Sequence, residues 1–276
     1  MNSSFDIRSP DSNNTADSSL LIEISGQGIS FMVINADNHC TSLSVYHFEA
    51  GTTHDKVASY LKDIAAAQTI LQQPFKKVSF VYAFAVSVLI PHQFMDAAIN
   101  KSMLELIYGD TTESIVRSDF ISRHNLHNIY SVPKQVDWVI ANLFFQAKNY
   151  HLYSLLAEKS KPDGNNLYCI FSTTQITVQL LKEGVLQVMQ SFEYKESIDA
   201  VYHLLNICER FEVNVNETVV YLNGMIDANS GLYQELYKYF PHLIFGSLPV
   251  TFTYNEEIKK LPAHYFSHLF ELATCV

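Results

Sequence analysis

The stretch LLIEISGQGISFMVINADNHCTSLSVYHF, residues 20–48, decides the fold. Leu20 to Ile24 is a short apolar strand that stops at Ser25-Gly26-Gln27-Gly28. Ile29 to Ala36 is a second strand, ended by a turn at Asp37-Asn38, and Cys40 to Phe48 alternates as a third. Apolar alternation between turn residues predicts strands in hairpin order. Thr52-Thr53-His54-Asp55 then supplies a helix cap, and Val57, Leu61, Ile64 and Ala65 follow at helical spacing. Pro74 comes after this helix, and Val78 opens a fourth strand. The apolar run from Phe80 to Ile90, broken only by Ser87, reads as a strand buried on both faces. It is too short for a bilayer, which takes about 20 residues.

The order returns in LYCIFSTTQITVQLLKEGVLQVMQSF, residues 167–192. Leu167 to Phe171, Ile176 to Leu181 and Val185 to Phe192 are three strands, with turns at Ser172-Thr173-Thr174 and Lys182-Glu183-Gly184. Ser197 to Phe211 is a helix with Ile198, Val201, Leu204, Leu205 and Cys208 on one stripe, and Thr218 to Leu222 is the fourth strand. Three hairpin strands, a helix crossover and a fourth strand, twice over, predict two mixed sheets with helix cover. Between the copies, Pro91 to Tyr150 has no counterpart. It reads as a helix over Phe94 to Tyr108, a strand over Asn128 to Val132 and an amphipathic helix over Val136 to Lys148, enough for an inserted subdomain. The expected organisation is a mobile polar tail over 1–19, a first half over 20–165 with the insertion at about 91–150, and a second half over 166–276.

At 276 residues, 48% apolar and 13% aromatic, the composition is that of a globular chain of about two domains. Eighteen basic against 28 acidic residues give a net charge of −10. With no basic excess to displace counterions, nucleic acid is not the expected partner. Cys40, Cys169, Cys208 and Cys275 are scattered, with no CxxC pair, and read as free thiols of a reducing compartment. Met1 to Ser19 lacks the charged and apolar regions of a signal peptide, so the expected location is the cytoplasm, without membrane insertion.

Leu89-Ile90-Pro91-His92-Gln93-Phe94, Ile129-Tyr130-Ser131-Val132-Pro133, and Leu261-Pro262-Ala263-His264-Tyr265-Phe266 through Leu269 and Cys275 resemble an uncharacterised bacterial family with a degenerate actin-like ATPase fold. The resemblance runs from Leu20 to Val276 and implies a duplicated actin-like, ribonuclease-H-like α/β fold, akin to pilus-assembly and cell-division actin relatives. In such proteins ATP lies between the halves. Two hairpin turns of the Asp-x-Gly kind hold phosphate and metal, and a Gly-Gly step lies against adenosine. Backbone amides reach phosphate oxygens only where glycine leaves room, and a carboxylate must hold hydrated Mg²⁺.

Here the first turn reads Glu23-Ile24-Ser25-Gly26, with Glu23 in the place of the Asp and Ser25 on the glycine. The second, Ile170-Phe171-Ser172-Thr173-Thr174, has neither, and the third, Leu222-Asn223-Gly224-Met225, keeps one glycine of two. The resemblance therefore implies a vestigial nucleotide cleft of Glu23, Ser25, Gly26, Ser172, Thr173, Thr174, Asn223 and Gly224, with no catalytic residue, no metal and no cofactor. The expected function is that of a pseudo-ATPase whose cleft or insertion binds another protein. The alternative is a nucleotide or sugar-phosphate binder, or a weak ATPase or kinase, using ATP and Mg²⁺ through noncanonical cleft residues.

Other candidate sites read as structural. His264 and His268, four apart on a C-terminal helix, lack a third metal ligand, and His124 and His127 lie in a polar loop. Cys169 and Cys208 fall inside a strand and a helix, without a nucleophile motif. Tyr233, Tyr237 and Phe240 read as a packing stripe.

Overall fold

The computed structural model describes residues 3–9, 15–159 and 164–276. The chain opens with β1 (Phe5–Arg8), which pairs antiparallel with β4. The expected mobile tail is thus corrected over these residues: Ile7 and Phe5 are drawn into an apolar layer that an isolated polar tail would not provide. Residues 10–14 of that tail lie outside the described residues. Next come β2 (Ser19–Ile24), β3 (Gly28–Ile34), β4 (His39–His47), α1 (His54–Ala67) and β5 (Lys77–Tyr82). Thr53 caps α1 by accepting from the Lys56 N–H at 3.5 Å.

The insertion is a three-stranded lobe: β6 (Ser87–Pro91), α2 (Asn100–Tyr108), β7 (Ser114–Ile121) and β8 (Leu126–Pro133), in the order β6-β8-β7. The run Phe80 to Ile90 is therefore two strands in different sheets, and α2 begins at Asn100 rather than Phe94. The expected boundary at residue 150 is also corrected. The amphipathic helix, α3 (Lys134–Leu143), packs its Val136, Val139 and Ile140 with α1 under the first sheet and belongs to the first half. After it, β9 (Lys148–His151) pairs parallel with β5, and α4 (Leu152–Lys159) follows.

The second half runs β10 (Asn166–Phe171), β11 (Gln175–Lys182), β12 (Val185–Glu193), α5 (Ser197–Arg210), β13 (Val219–Gly224), α6 (Gly231–Tyr237) and β14 (His242–Phe245). Glu183 and Gly184, with φ of 51° and 76°, make the two-residue turn that suits the twist of a tight hairpin. Glu196 and Asp199 form a capping box on α5. The strand order β12-β11-β10-β13-β14 repeats β4-β3-β2-β5-β9 of the first sheet, and in each the first and fourth strands of the set are parallel.

The C-terminal segment returns to the first half. In it, β15 (Thr253–Tyr254) pairs parallel with β4, and α7 (Glu256–Lys259) leads to α8 (Ser267–Ala273). Each sheet has its own core on the outer face, against α1 and α3 in one half and α5 and α6 in the other. A third core joins the halves: Leu21, Met32 and Val81 of the first sheet, Ile170 and Met189 of the second, and Leu155, Leu156, Phe266, Leu269 and Phe270 from α4 and the approach to and body of α8.

Candidate functional site

Side-chain parity aims two residues at the space between the sheets. Along β2, Leu20, Ile22 and Ile24 enter the outer core, so Leu21 and Glu23 face inward. Along β10, Leu167, Cys169 and Phe171 face α5 and Ile170 faces inward. Ile170 thus holds in the second sheet the place that Glu23 holds in the first, each next to last in its strand.

Glu23 and Ile170 line one cavity of about 80 Å³, with Ser25, Ser172, Gly224, Phe266 and His268 also on its wall. Ligand pockets run to about 300–1,000 Å³, and a water occupies about 30 Å³. The space has been taken by the C-terminal segment. Ser267 at the start of α8 donates to Asn223 Oδ1 at 2.6 Å, and the Tyr168 hydroxyl donates to the Glu271 carboxylate, so α8 is tied to the second sheet. Its other face brings His268 Nε2 to 3.6 Å from Glu23 Oε2, beyond hydrogen-bond reach. Glu23 Oε2 and His268 Nδ1 are both buried without a partner. Burial pushes the Glu23 carboxyl up to about 7 and the His268 imidazole down to about 4, each toward its neutral form.

The turn residues are occupied locally. The Ser25 hydroxyl accepts from the Gln27 N–H at 3.0 Å, and the Ser172 hydroxyl donates to the Gln175 carbonyl at 3.0 Å. Thr174 Oγ1 donates to Gln27 Oε1 at 2.7 Å, so the two turns bind each other directly. Asn223 is fully buried, its amide donating to the Cys169 carbonyl at 3.2 Å. Gly224 has φ +79°, and a Cβ there would lie 2.2 Å from the Phe171 carbonyl oxygen. That glycine is required by the close approach of β13 to β10. Gly26 has open space around it, and Thr173 is exposed.

Of the eight expected cleft residues, Glu23, Ser25, Ser172 and Gly224 share the cavity. Thr174 closes it through Gln27, Asn223 ties β13 to the Cys169 carbonyl of β10 and to Ser267 of α8, and Gly26 and Thr173 stand apart. Sequence reasoning missed Gln27 and His268 as partners of this site. Only the histidine spacing pointed toward α8, and it pointed to the wrong chemistry. His264 Nε2 donates to the Ile226 carbonyl at 2.6 Å while His268 faces Glu23. Among the described residues, no three metal-ligating side chains converge.

A different kind of surface lies on the lobe and on α3. Phe94, Leu106, Ile107, Phe120, Trp138 and Phe145 are all more than half exposed. A shallow groove of about 660 Å³ runs between α1, α3 and Ile115 of β7, with Lys62 Nζ 5.0 Å above the Trp138 ring. The lobe is held to the first half by buried polar contacts. Arg117 Nη2 of the lobe donates to Asp137 Oδ1 of α3 at 2.7 Å, and the His151 N–H of β9 donates to Asp119 Oδ2 of the lobe at 2.9 Å. Within each part, Tyr82 donates to Asp137 Oδ1 at 3.0 Å and Tyr130 to Asp119 Oδ1 at 3.1 Å.

Two sheets of one strand order, a lobe in the first and a cleft between them define an actin-like ATPase fold, and solved structures agree. A protein of unknown function with this fold from Bacteroides thetaiotaomicron superposes with a TM-score of 0.78 at 18% identity, over 97% of this chain and 100% of that one. A chain of the PilM–PilN type IV pilus biogenesis complex gives 0.64 at 12% identity, over 93% and 97%. The ethanolamine utilization protein EutJ from Carboxydothermus hydrogenoformans gives 0.50 at 8%, over 98% and 93%. By sequence, the chain belongs to the DUF3822 family, described as a protein of unknown function, whose profile matches residues 8–243. No curated protein matches it in sequence.

Proposed function

We propose that this protein is a pseudo-ATPase that acts by binding another protein, with the lobe and the adjoining α3 as its docking surface. The observation that carries the reading is the closed cleft. The two turns that would flank a phosphate bind each other through Thr174 and Gln27, and Ile170 stands where a second metal-holding carboxylate would be needed. Glu23, alone and pushed toward its neutral form, is a poor ligand for Mg²⁺. The exposed apolar side chains of the lobe supply what the cleft lacks, a surface whose burial would be favourable. The solved PilM–PilN complex supports a protein partner for this architecture. The shared strand order supports an internal duplication, and four free cysteines support a cytoplasmic location. The similarity to a Bacteroides protein supports a bacterial origin.

The test is a thermal-unfolding titration with Mg-ATP, Mg-ADP and nucleotide-free buffer, beside an ATP hydrolysis assay. The expected result is no shift and no metal-dependent turnover. A ligand at 100 times its Kd would add about 2.7 kcal/mol of stability, an easily read shift. Such a shift, abolished by Glu23→Ala, would overturn the pseudo-ATPase reading and favour the nucleotide-binding alternative.

A further inference from the structure

A second cavity, of about 170 Å³, lies at the opposite end of the first sheet from the turns. The starts of β2 and β5 and the end of β3 frame it, and Phe252, Ala273 and Val276 roof it. Strand parity fixes its chemistry. Leu21 and Val81 face the inner layer, so Ser19, Lys77 and Ser79, which alternate with the outer-core residues, face the same way. Asn35 and Asn38 of the β3–β4 turn complete the wall. Asn35 Oδ1 already accepts from the Asp37 and His39 N–H groups at 3.0 and 2.9 Å, which leaves its NH₂ to donate.

Every polar side chain on this wall can therefore donate a hydrogen bond, and none is a carboxylate; the negative group among the lining residues is the α-carboxylate of Val276 in the roof, which forms no ion pair with Lys77. Ser79 Oγ is buried without a partner. Lys77 has no carboxylate within 4.0 Å among the described residues, the chain terminus included.

We propose that this cavity binds a small tetrahedral oxyanion the size of inorganic phosphate, with the Lys77 ammonium as its counter-ion and the Ser79 hydroxyl as its buried donor. Phosphate oxygens are acceptors throughout, so they match a wall of donors, and an ammonium–phosphate contact is a charge-assisted hydrogen bond. Five or six waters fill about the same volume, so one such ion fits with water to spare, whereas a nucleoside triphosphate does not fit.

Thermal unfolding and calorimetric titration of the full chain test this with sodium phosphate, sodium sulfate, glycerol 3-phosphate, Mg-ATP and sodium chloride at matched ionic strength. Phosphate and sulfate are expected to raise Tm with dose, and chloride and Mg-ATP are not. Lys77→Met is expected to weaken phosphate at least about tenfold by removing the charge-assisted bond. Ser79→Ala is expected to weaken it severalfold. Glycerol 3-phosphate that binds more tightly than phosphate, and loses that binding in Lys77→Met, assigns the same contacts to an ester rather than to the free ion. Phosphorus-31 line broadening by the wild-type chain, reduced by Ser79→Ala, is a separate readout should Lys77→Met fail to fold. No response at tens of millimolar phosphate, or a response that survives Lys77→Met in a folded variant, would overturn the proposal.

Discussion

Glu23 and Ile170 occupy equivalent points of two sheets with one strand order, and they give the two halves opposite chemistry. The backbone is the same on both sides: a central strand, a short turn and an antiparallel return. One side brings a carboxyl to the space between the sheets and the other an alkyl group. With charge on only one wall, the space cannot hold a cation between two carboxylates. An apolar wall instead favours apolar filling, and α8 with Phe266 and Leu269 supplies it. Glu23 is then left buried without a donor, and the cost appears in its raised pKa. Symmetry of fold thus does not carry symmetry of chemistry; one side chain per strand decides it.

The largest effect is expected where the halves share a core. Phe270 is fully buried in the layer between the sheets, whereas Trp138 on α3 is mostly exposed. Phe270→Ala should cost about 3–5 kcal/mol in urea unfolding. Trp138→Ala should stay within about 1 kcal/mol. Equal losses would mean that α8 does not fasten the two halves.

Next come the two titrating groups. A carboxyl raised in the folded state contributes stability that is complete below 4.5 and is lost as pH rises through about 7. Replacing it by an amide removes that loss, so Glu23→Gln should stabilise the protein at pH 8 by about 3 kcal/mol relative to its effect at pH 4. His268 is the mirror case. Its lowered value contributes stability that is complete above 6.5 and is lost as pH falls through about 4. His268→Leu should therefore help at low pH and leave the high-pH loss from Glu23 in place. Tm measured against pH for both variants should show slopes of opposite sign. Parallel profiles would mean that burial does not shift the two groups in opposite directions.

The glycines sharpen the comparison between turns. Gly224 sits at φ +79° against the Phe171 carbonyl, while Gly26 is unconstrained. Gly224→Ala should cost about 2 kcal/mol or more and Gly26→Ala should be nearly silent, measured by chemical denaturation. The smallest effect is expected at the bridge between turns. Thr174→Val removes its hydrogen bond to Gln27 and should cost about 1 kcal/mol, without opening the cleft to Mg-ATP in the thermal assay.

Elements whose own residues carry the pattern were readable in advance. The hairpins β2–β4 and β10–β12 are short apolar runs punctuated by turn residues, and α1 and α5 each bury one stripe. Those missed have no such pattern, for physical reasons. In β9, Lys148-Asn-Tyr-His151 is a strand because the edge of β5 offers it hydrogen bonds. In α4, six of eight residues are buried because it is held between two sheets, which erases the amphipathic period. In β7, Arg117 and Asp119 interrupt the apolar run, and their partners Asp137 and Tyr130 lie in other elements. Half of the candidate cleft was likewise readable, since Glu23, Ser25, Ser172 and Gly224 fall at strand ends of the repeat. The remainder was not. Asn223 differs from them only in which way its side chain turns, and Thr174 only in having Gln27 opposite.

Local periodicity and turn chemistry were enough for the hairpin strands with their helix crossover, the repetition of that pattern and the presence of an insertion, whereas the expectation about carboxylates at the turns came from the family resemblance. The first three depend on neighbours a few residues away, and those neighbours are written in the chain. Whether the cleft is open or filled was settled only when α8 crossed from the second half to lie against the first. His268 meets Glu23, Ser267 meets Asn223, and Thr174 meets Gln27 across separations along the chain that no local pattern encodes. Burial then changed what those residues are. A glutamate that would be fully ionised in water is pushed toward its neutral form beside a histidine held neutral, because the protein interior offers neither the water nor the cation that would keep it charged.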